Sequence, residues 1–114
     1  MAQTKYNVTV ARRADRMLLS HTEFLARVSP SAARVLLADF KEITKRLEDN
    51  PLMFPFADEM DVPGIPLETY RKCLFGKRYK AICLVENDHV YIDAIIDCRQ
   101  ENADLYEDQD IPAN

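Results

Sequence analysis

The fold is decided by residues 70–100, which read YRKCLFGKRYKAICLVENDHVYIDAIIDCRQ. Apolar and polar side chains alternate in three runs, and a period of two is typical of half-buried strands. Gly76-Lys77 and Asn87-Asp88 separate the runs and have the composition of tight turns. The stretch therefore predicts a three-stranded antiparallel meander.

The last strand of this meander is predicted to have one covered face and one open face. Its alternating sets are Val90, Ile92, Ala94, Ile96 and Cys98 on one side, and Tyr91, Asp93, Ile95, Asp97 and Arg99 on the other. We expect the first set to contact the helices and the second to face solvent, as in antiparallel sheets that are covered on one side.

Two helices are predicted before the meander. Residues 11–29 and the residues after Ser29-Pro30 repeat apolar side chains every three or four positions. Ser29 suits an N-cap and Pro30 suits a first helical turn. The stripes are Ala14, Met17, Leu18, His21, Phe24, Leu25 and Val28, then Ala33, Leu36, Phe40, Ile43 and Leu47. Because the link is short, we expect an antiparallel hairpin, with His21 as a hydrogen-bonded core histidine.

The remaining segments complete an α+β prediction of N-terminal strand, antiparallel helical hairpin and meander. Tyr6–Val10 is β-branched and aromatic, which is typical of a strand. Residues 48–69 contain four prolines and no periodicity, so they predict a long irregular connection. Connections of this length are often functional or partner-facing; alternatively, Phe54 and Phe56 only cap one edge of the core.

Composition predicts one domain, residues 1–100, followed by an acidic tail, residues 101–114. The tail holds five of the 19 acidic residues and no Lys or Arg, so the body has 15 basic and 14 acidic residues. This balance excludes the broad basic face of a general nucleic-acid binder. No apolar run reaches the ~20 residues that span a bilayer, and no apolar secretion signal begins the chain, so we expect a cytoplasmic protein without a membrane partner.

Three cysteines, Cys73, Cys83 and Cys98, lie in predicted strands and form no CxxC pair. Without paired ligand spacing they indicate reduced, partly buried thiols rather than a zinc site or a thiol enzyme. We therefore expect no metal and no other cofactor.

Three short motifs in the meander carry a resemblance to a known family. Tyr70-Arg71, residues 76–80 (GKRYK) and residues 97–100 (DCRQ) follow one another in an order that resembles the RelE/ParE superfamily of bacterial toxins. The likeness covers about residues 6–100. It implies a type II toxin, of the kind linked to plasmid stabilisation, held inactive by a cognate antitoxin protein. ParE-like members poison DNA gyrase, RelE-like members cut mRNA on the ribosome without a metal, and others have no known target.

The resemblance also implies site residues. By spacing, Arg71, Lys80, Arg99 and Tyr106 fall at catalytic positions of RelE-like members, and Lys72, Lys77, Arg78 and Gln100 are the accompanying target-binding residues. Cys73 and Gln100 stand where basic residues are usual, and Lys80 replaces a planar guanidinium by a point charge. We therefore expect a ParE-like toxin or one of unknown target. The alternatives are a RelE-like endoribonuclease and a non-toxic protein-interaction module.

Two other interpretations of the basic residues stay open. Lys and Arg at a hairpin edge also serve as solvated charge that prevents pairing with other sheets. The acidic tail, in turn, could fold over Arg71, Lys80 and Arg99 and occupy them within the same chain. His89, after the second turn, is a weaker candidate for an acid or base.

Overall fold

A computed structural model describes residues 5–98 as a four-stranded sheet with two helices against one face. In chain order the elements are β1 (Asn7–Val10), α1 (Arg12–Val28), α2 (Pro30–Asp49), a 3-10 turn (Pro51–Met53), β2 (Tyr70–Phe75), β3 (Tyr79–Glu86) and β4 (His89–Asp97). The strand order is β1-β4-β3-β2. Strand β1 pairs parallel with β4, and the other pairs are antiparallel. The predicted α+β fold is confirmed; the parallel pairing of β1 was not predicted.

One residue, Ser29, both ends α1 and begins α2. Its backbone N–H donates to Leu25 O at 2.7 Å, which closes the last turn of α1. Its side-chain oxygen accepts from Ala32 N at 3.2 Å, and Pro30 follows at the first position of α2. A cap followed by proline starts a new helix at once, so the chain reverses within a single residue.

The main core lies between the helices and one face of the sheet, which we call the helix face. Its buried members are Ala14, Leu18, Leu36, Ile43, Leu47, Phe54, Cys73, Phe75, Tyr79, Ala81, Cys83, Val90, Ile92 and Ile95. Phe75 packs between Phe40 and Tyr79, with ring centroids 5.7 and 5.9 Å away. Close packing of this kind supplies most of the hydrophobic free energy of folding.

A β-bulge at Asp93 reverses the facing of half of β4. Ile82 pairs with Ala94 but its neighbour Cys83 pairs with Ile92, so Asp93 is an additional residue. Before the bulge, Ile92 lies on the helix face as predicted. Beyond it the prediction was wrong, because one inserted residue shifts the alternation by one. Ile95 therefore packs on the helix face, and Ala94 and Ile96 lie on the opposite face.

The face opposite the helices, which we call the outer face, is covered by residues 54–69, which we call the connector. The connector begins on the helix face with buried Phe54 and then passes the edge of β2. There Lys72 N donates to Pro55 O at 2.9 Å, and Ala57 N donates to Tyr70 O at 2.7 Å. On the outer face it joins a small cluster made of Ala57, Val62, Ile65, Tyr70, Ile82, Ala94 and Ile96. The expectation of an open face was therefore wrong over this area.

The apolar stripe of α1 is narrower than predicted. Phe24 and Val28 were expected in the core, but 56% and 74% of their surface is exposed. They lie at the C-terminal end of α1, next to the reversal at Ser29. None of the helices in residues 5–98 has both the length and the apolar composition to cross a bilayer.

Candidate functional site

Arg71 lies at the edge of the sheet and holds the start of the connector. It pairs with Cys83, so its side chain leaves the strand on the helix face. The Nη1 atom donates to Phe54 O at 2.8 Å and reaches Leu52 O at 3.4 Å. The guanidinium lies 3.9 Å from the ring centroid of Phe56, a cation–π contact. Arg71 is thus engaged with protein groups of the connector.

Lys80 and Lys72 meet one carboxylate on the outer face. Lys80 Nζ lies 2.7 Å from Asp61 Oδ1, and Lys72 Nζ lies 3.2 Å from Oδ1 and 3.0 Å from Oδ2. Lys80 and Asp61 are buried, whereas 29% of the Lys72 side chain is exposed. We call these three residues the lysine site. In it, two ammonium groups hold one carboxylate.

Competing effects set the charge state of Asp61. Burial alone would raise its pKa, but hydrogen bonds from Lys80, the backbone of Asp58 and Lys72 outweigh it and lower the pKa from 3.8 to about 2. Opposite charges within hydrogen-bonding distance favour the ionised form of a carboxyl group. The carboxylate therefore stays charged at neutral pH.

A tight turn in the connector aims Asp61 at the lysines. Asp58 O accepts from Asp61 N at 2.9 Å and from Val62 N at 3.0 Å, while Asp58 N donates to Asp61 Oδ2 at 2.8 Å. The side chain of Asp58 accepts from Met60 N at 3.0 Å. Local hydrogen bonds of this type fix the direction of the side chain, so Asp61 is positioned before it meets the sheet.

The other predicted cations in the described residues, Arg78 and Lys77, do not contact Asp61. Arg78 Nη2 donates to Asp97 Oδ2 at 2.8 Å, and this hydrogen bond raises the pKa of Arg78 above its ordinary value. Lys77 lies in the turn between β2 and β3 with a φ of 68°, exposed to solvent. Gly76 before it has a φ of 62°, which glycine adopts readily.

Of the predicted cations within residues 5–98, the structure brings together Lys72 and Lys80. Arg71 leaves the opposite face of the sheet, because its partner is Cys83 whereas Lys72 pairs with Ile82. Arg99, Gln100 and Tyr106 lie outside the described residues. The catalytic and target-binding roles of all these residues stay predictions; Arg71 and Lys80 lie on opposite faces, and Lys80 is buried.

Asp61 is the member of the lysine site that sequence reasoning missed. It lies in the aperiodic connector, 11 and 19 residues before the two lysines. No spacing rule relates a loop carboxylate to strand residues at such distances. The one available signal was a buried strand position, Lys80, that required a charge partner.

Two of the open clefts formed by the described residues have mainly apolar linings. One, of about 460 Å³, lies on the outer face between the connector, α1 and β4, and is lined by Met17, Val62, Ile65, Tyr70, Ile82 and Ile96. The second, of about 360 Å³, lies between the helical hairpin and the β2–β3 turn, and is lined by Leu25, Ala32, Val35, Leu36, Gly76 and Tyr79. We call the second one the hairpin groove.

The histidines and cysteines have structural surroundings. His21 Nε2 lies 3.1 Å from Ile95 O, as predicted for a core histidine, and His89 Nε2 lies 2.6 Å from Thr9 Oγ1. Cys73 and Cys83 are buried with their Sγ atoms 3.9 Å apart, and this hydrogen bond together with burial raises the pKa of the Cys83 thiol. A raised pKa makes a thiol inert. Within residues 5–98, no three His, Cys, Asp or Glu side chains are grouped so that they could hold a metal ion.

Comparison with known proteins identifies a solved structure with a similar fold. No protein-family model matches the sequence, and no curated protein matches it. Among solved structures, the fold is similar to a chain of the chromosomal ParDE toxin–antitoxin (TA) system from P. aeruginosa, with a TM-score of 0.64 and 15% sequence identity over 81% of this chain and 95% of that chain. A likeness at this identity shows the fold alone. The chain has a ParE-like α+β fold, and the resemblance to the RelE/ParE superfamily is confirmed as a resemblance in fold.

Proposed function

We propose that this chain is the toxin of a type II toxin–antitoxin system, acting in the cytoplasm on a ParE-like or unknown target until a cognate antitoxin protein neutralises it. The observation that carries the proposal is the likeness in fold, which extends over 81% of this chain and 95% of the compared chain. Because it leaves little of either chain unmatched, it relates whole domains rather than a common supersecondary motif. Fold alone does not determine function, so the surface must supply the rest of the argument.

The helical hairpin supplies a surface suited to an antitoxin. Phe24, Val28 and Val35 are more than half exposed, and Val35 lines the hairpin groove. Monomeric proteins seldom leave large contiguous apolar patches uncovered. An amphipathic helix of a partner, with apolar residues at helical spacing, would cover such a surface. We therefore assign the antitoxin to the hairpin groove and the exposed apolar side chains beside it.

The proposal is tested by expressing the chain in a bacterium that lacks the antitoxin. We expect growth arrest, measured as loss of colony-forming units, and recovery when the product of the adjacent open reading frame is co-expressed. Normal growth with soluble, folded protein would contradict the proposal and favour the interaction module.

The antitoxin surface is tested by Val35→Asp, with Leu19→Asp as the matched control. Both side chains are exposed on helices to nearly the same extent, 58% and 56%, but only Val35 lines the hairpin groove. Because a charge at the centre of an apolar interface is strongly unfavourable, we expect Val35→Asp to keep its toxicity and lose neutralisation. Leu19→Asp should keep both. Equal neutralisation of the two variants would place the antitoxin elsewhere.

The RelE-like endoribonuclease is the alternative target class. Arg71 and Lys80 both bond to groups of the connector, and Lys80 is buried, which weighs against this alternative. Assays of the purified protein on gyrase and on translation distinguish the ParE-like target from the RelE-like one. Inhibition of gyrase supercoiling supports the ParE-like reading, and arrest of translation with intact supercoiling supports the nuclease.

A further inference from the structure

The last described residue lies beside the hairpin groove. Cys98 N donates to Arg78 O at 2.6 Å, and Arg78 is one of the residues that line the groove. Residues 99–114, which lie outside the described residues, therefore begin at this groove. A residue seven positions after Cys98 can lie up to about 23 Å from it along an extended chain, and about 10 Å from it along a helix. The apolar pair Leu105-Tyr106 is thus able to reach the groove.

The exposed apolar side chains of α1 lie near the C-terminal end of β4. The helix and the strand run in the same direction, since the first turn of α1 contacts the bulge and His21, further along the helix, contacts Ile95. From that contact, Val28 is about 10 Å further along the helix, and Asp97, the last residue of β4, is about 7 Å further along the strand. The last turn of α1, where Phe24 and Val28 are more than half exposed, is therefore next to the end of β4.

The chain segments that line the groove are basic. Residues 25–36 and 76–79 contain four cations and no acidic residue: Arg27, Arg34, Lys77 and Arg78. Asp39 is the single acidic side chain among the residues that line the groove. Residues 101–114 hold five acidic residues and no Lys or Arg. Opposite charge steers the tail to this surface, whereas apolar contacts must supply most of the affinity, because exposed ion pairs contribute little.

We propose that residues 99–114 occupy the hairpin groove of the same chain, with Leu105 and Tyr106 packed against Leu25 and Val35. The acidic residues on either side of this pair then face the cations that border the groove. The proposed function assigns the same groove to the antitoxin, so the tail and the antitoxin compete for it. This competition rests on the proposed function, whereas occupancy by the tail is a property of the chain alone.

The short connection between Cys98 and Leu105 makes a weak contact sufficient. A binding segment on a short flexible tether has an effective concentration on the order of 1 mM. A dissociation constant of about 0.1 mM therefore fills the groove in about ten molecules for each one in which it is open. The apparent affinity of a competing partner then falls by about 10-fold, because the partner binds only the open molecules.

Occupancy is tested with a tryptophan in the tail of the full-length chain. The chain has no tryptophan of its own, so Tyr106→Trp supplies a single fluorescent reporter. Acrylamide quenching of this variant is compared with that of a synthetic peptide of residues 99–114 that carries the same substitution. Because a ring packed in a groove is shielded from solvent, we expect a quenching constant at least about 3-fold lower in the full-length chain. Circular dichroism checks the folding of every variant.

The matched pair Val35→Asp and Leu19→Asp tests whether the groove is the docking surface. Each variant adds one negative charge to a helix at a position of nearly equal exposure, but of the two only Val35 lines the groove. We expect Val35→Asp to raise the quenching constant to within about 1.5-fold of the free peptide, and Leu19→Asp to leave it unchanged. If Tyr106→Trp alters folding, Leu105→Trp supplies the reporter at the other residue of the pair, with the same expected results.

Three results would overturn the inference. The first is a quenching constant equal to that of the free peptide. The second is protection that survives Val35→Asp, which would place the tail on another surface, such as the 460 Å³ cleft of the outer face. The third is protection that weakens on dilution over a range of about 100-fold, because a tail bound to a second copy depends on concentration and a tail bound within its own chain does not.

The same reporter tests the competition. Addition of the purified product of the adjacent open reading frame should raise the quenching constant about 3-fold, to the value of the free peptide. Binding of this product with an unchanged quenching constant would contradict the competition. Since the occupancy assay measures neither growth arrest nor neutralisation, its failure leaves the proposed toxin function unaffected, and a chain that proves non-toxic leaves the occupancy result unaffected.

Discussion

On the helix face of the sheet, burial is apolar and continuous except at its end, where Asp97 opposite Tyr79 bonds Arg78. On the outer face a small apolar cluster adjoins the buried contact of Asp61 with Lys80. Ile92 and Ile95 are fully buried among helix residues, but the cluster on the outer face has only Ala57, Ile82 and Ala94 as its buried members. The difference shows that the two faces stabilise different parts of the molecule. Non-directional apolar packing stabilises the whole domain, while directional contacts fix the connector on the outer face.

Buried charge contributes to stability differently from apolar packing. An ion pair removed from water stabilises little in net terms, because desolvation offsets most of its attraction, but removing one partner is costly. Asp61 with its lysines is therefore better suited to fix the position of the connector than to hold the domain together. The comparison of the faces generates four predictions, which run from the largest expected effect to the smallest.

The sharpest test of the division is the adjacent pair Ile95 and Ile96. Ile95 is fully buried on the helix face, and Ile96 is half-buried on the outer face. We expect Ile95→Ala to lower the free energy of unfolding by about 4 kcal/mol through cavity formation, and Ile96→Ala by about 1 kcal/mol, in proportion to the smaller area lost. Urea denaturation measures both. Equal losses would show that the bulge does not separate the faces.

Removing the charge of Asp61 should lower the free energy of unfolding somewhat less than Ile95→Ala does. Asp61→Asn leaves two ammonium groups without their carboxylate, and breaking such a buried pair costs about 3 kcal/mol. Lys72→Met, from the partly exposed lysine, should cost less than half as much. Denaturation at pH 7 is the measurement. A loss below that of an exposed ion pair would mean that Asp61 does not tie the connector to the sheet.

The stability that Asp61 contributes should disappear in acid. In the unfolded chain Asp61 takes up a proton near its ordinary pKa of 3.8, but in the folded protein only near about 2. Between these values the unfolded state binds more protons, so lowering the pH favours unfolding. The difference in unfolding free energy between wild type and Asp61→Asn should therefore be full above pH 5 and shrink toward pH 2. A difference that stays constant over this range would contradict the ionised contact.

Of these contacts, the exposed ion pair between Arg13 and Asp93 should contribute least to the free energy of unfolding. Arg13 Nη2 lies 3.1 Å from Asp93 Oδ2, with 62% and 42% of the two side chains exposed. Solvent screens such pairs, and we expect Arg13→Ala to change the unfolding free energy by less than about 0.5 kcal/mol. Thermal unfolding at low and high salt is the check. A loss comparable with that of Asp61→Asn would remove the distinction between buried and exposed charge.

Much of the fold could be predicted because the pattern of the sequence is local. The strands alternate with a period of two, the helices repeat every three or four residues, and Ser29-Pro30 marks the reversal with its own chemistry. Val90 and Ile92 were expected on the covered face from the alternation of β4, and both are fully buried there. Each of these features depends on neighbours within about one helical turn or one strand.

The rest depended on contacts that no local pattern encodes. The bulge at Asp93 inserts one residue opposite β3, and a facing prediction from alternation alone is then reversed for Ile95 and Ile96. The connector returns across the outer face and places Asp61 against Lys80, a contact between residues 19 positions apart. Of the predicted site, the sequence could name the cations but could not show that Arg71 and Lys80 leave opposite faces.

Because the connector has few buried apolar contacts on the outer face, we expect it to open at a lower free energy than the sheet, and native-state hydrogen exchange tests this most directly. The amides of Ala57 and Lys72 bond between the connector and β2, at 2.7 and 2.9 Å. We predict that they exchange with an opening free energy at least about 2 kcal/mol below that of the β3–β4 ladder, and that Asp61→Asn widens this gap. Exchange of all these amides with one free energy and one dependence on denaturant would show that the connector leaves only when the whole domain unfolds, and would contradict the account.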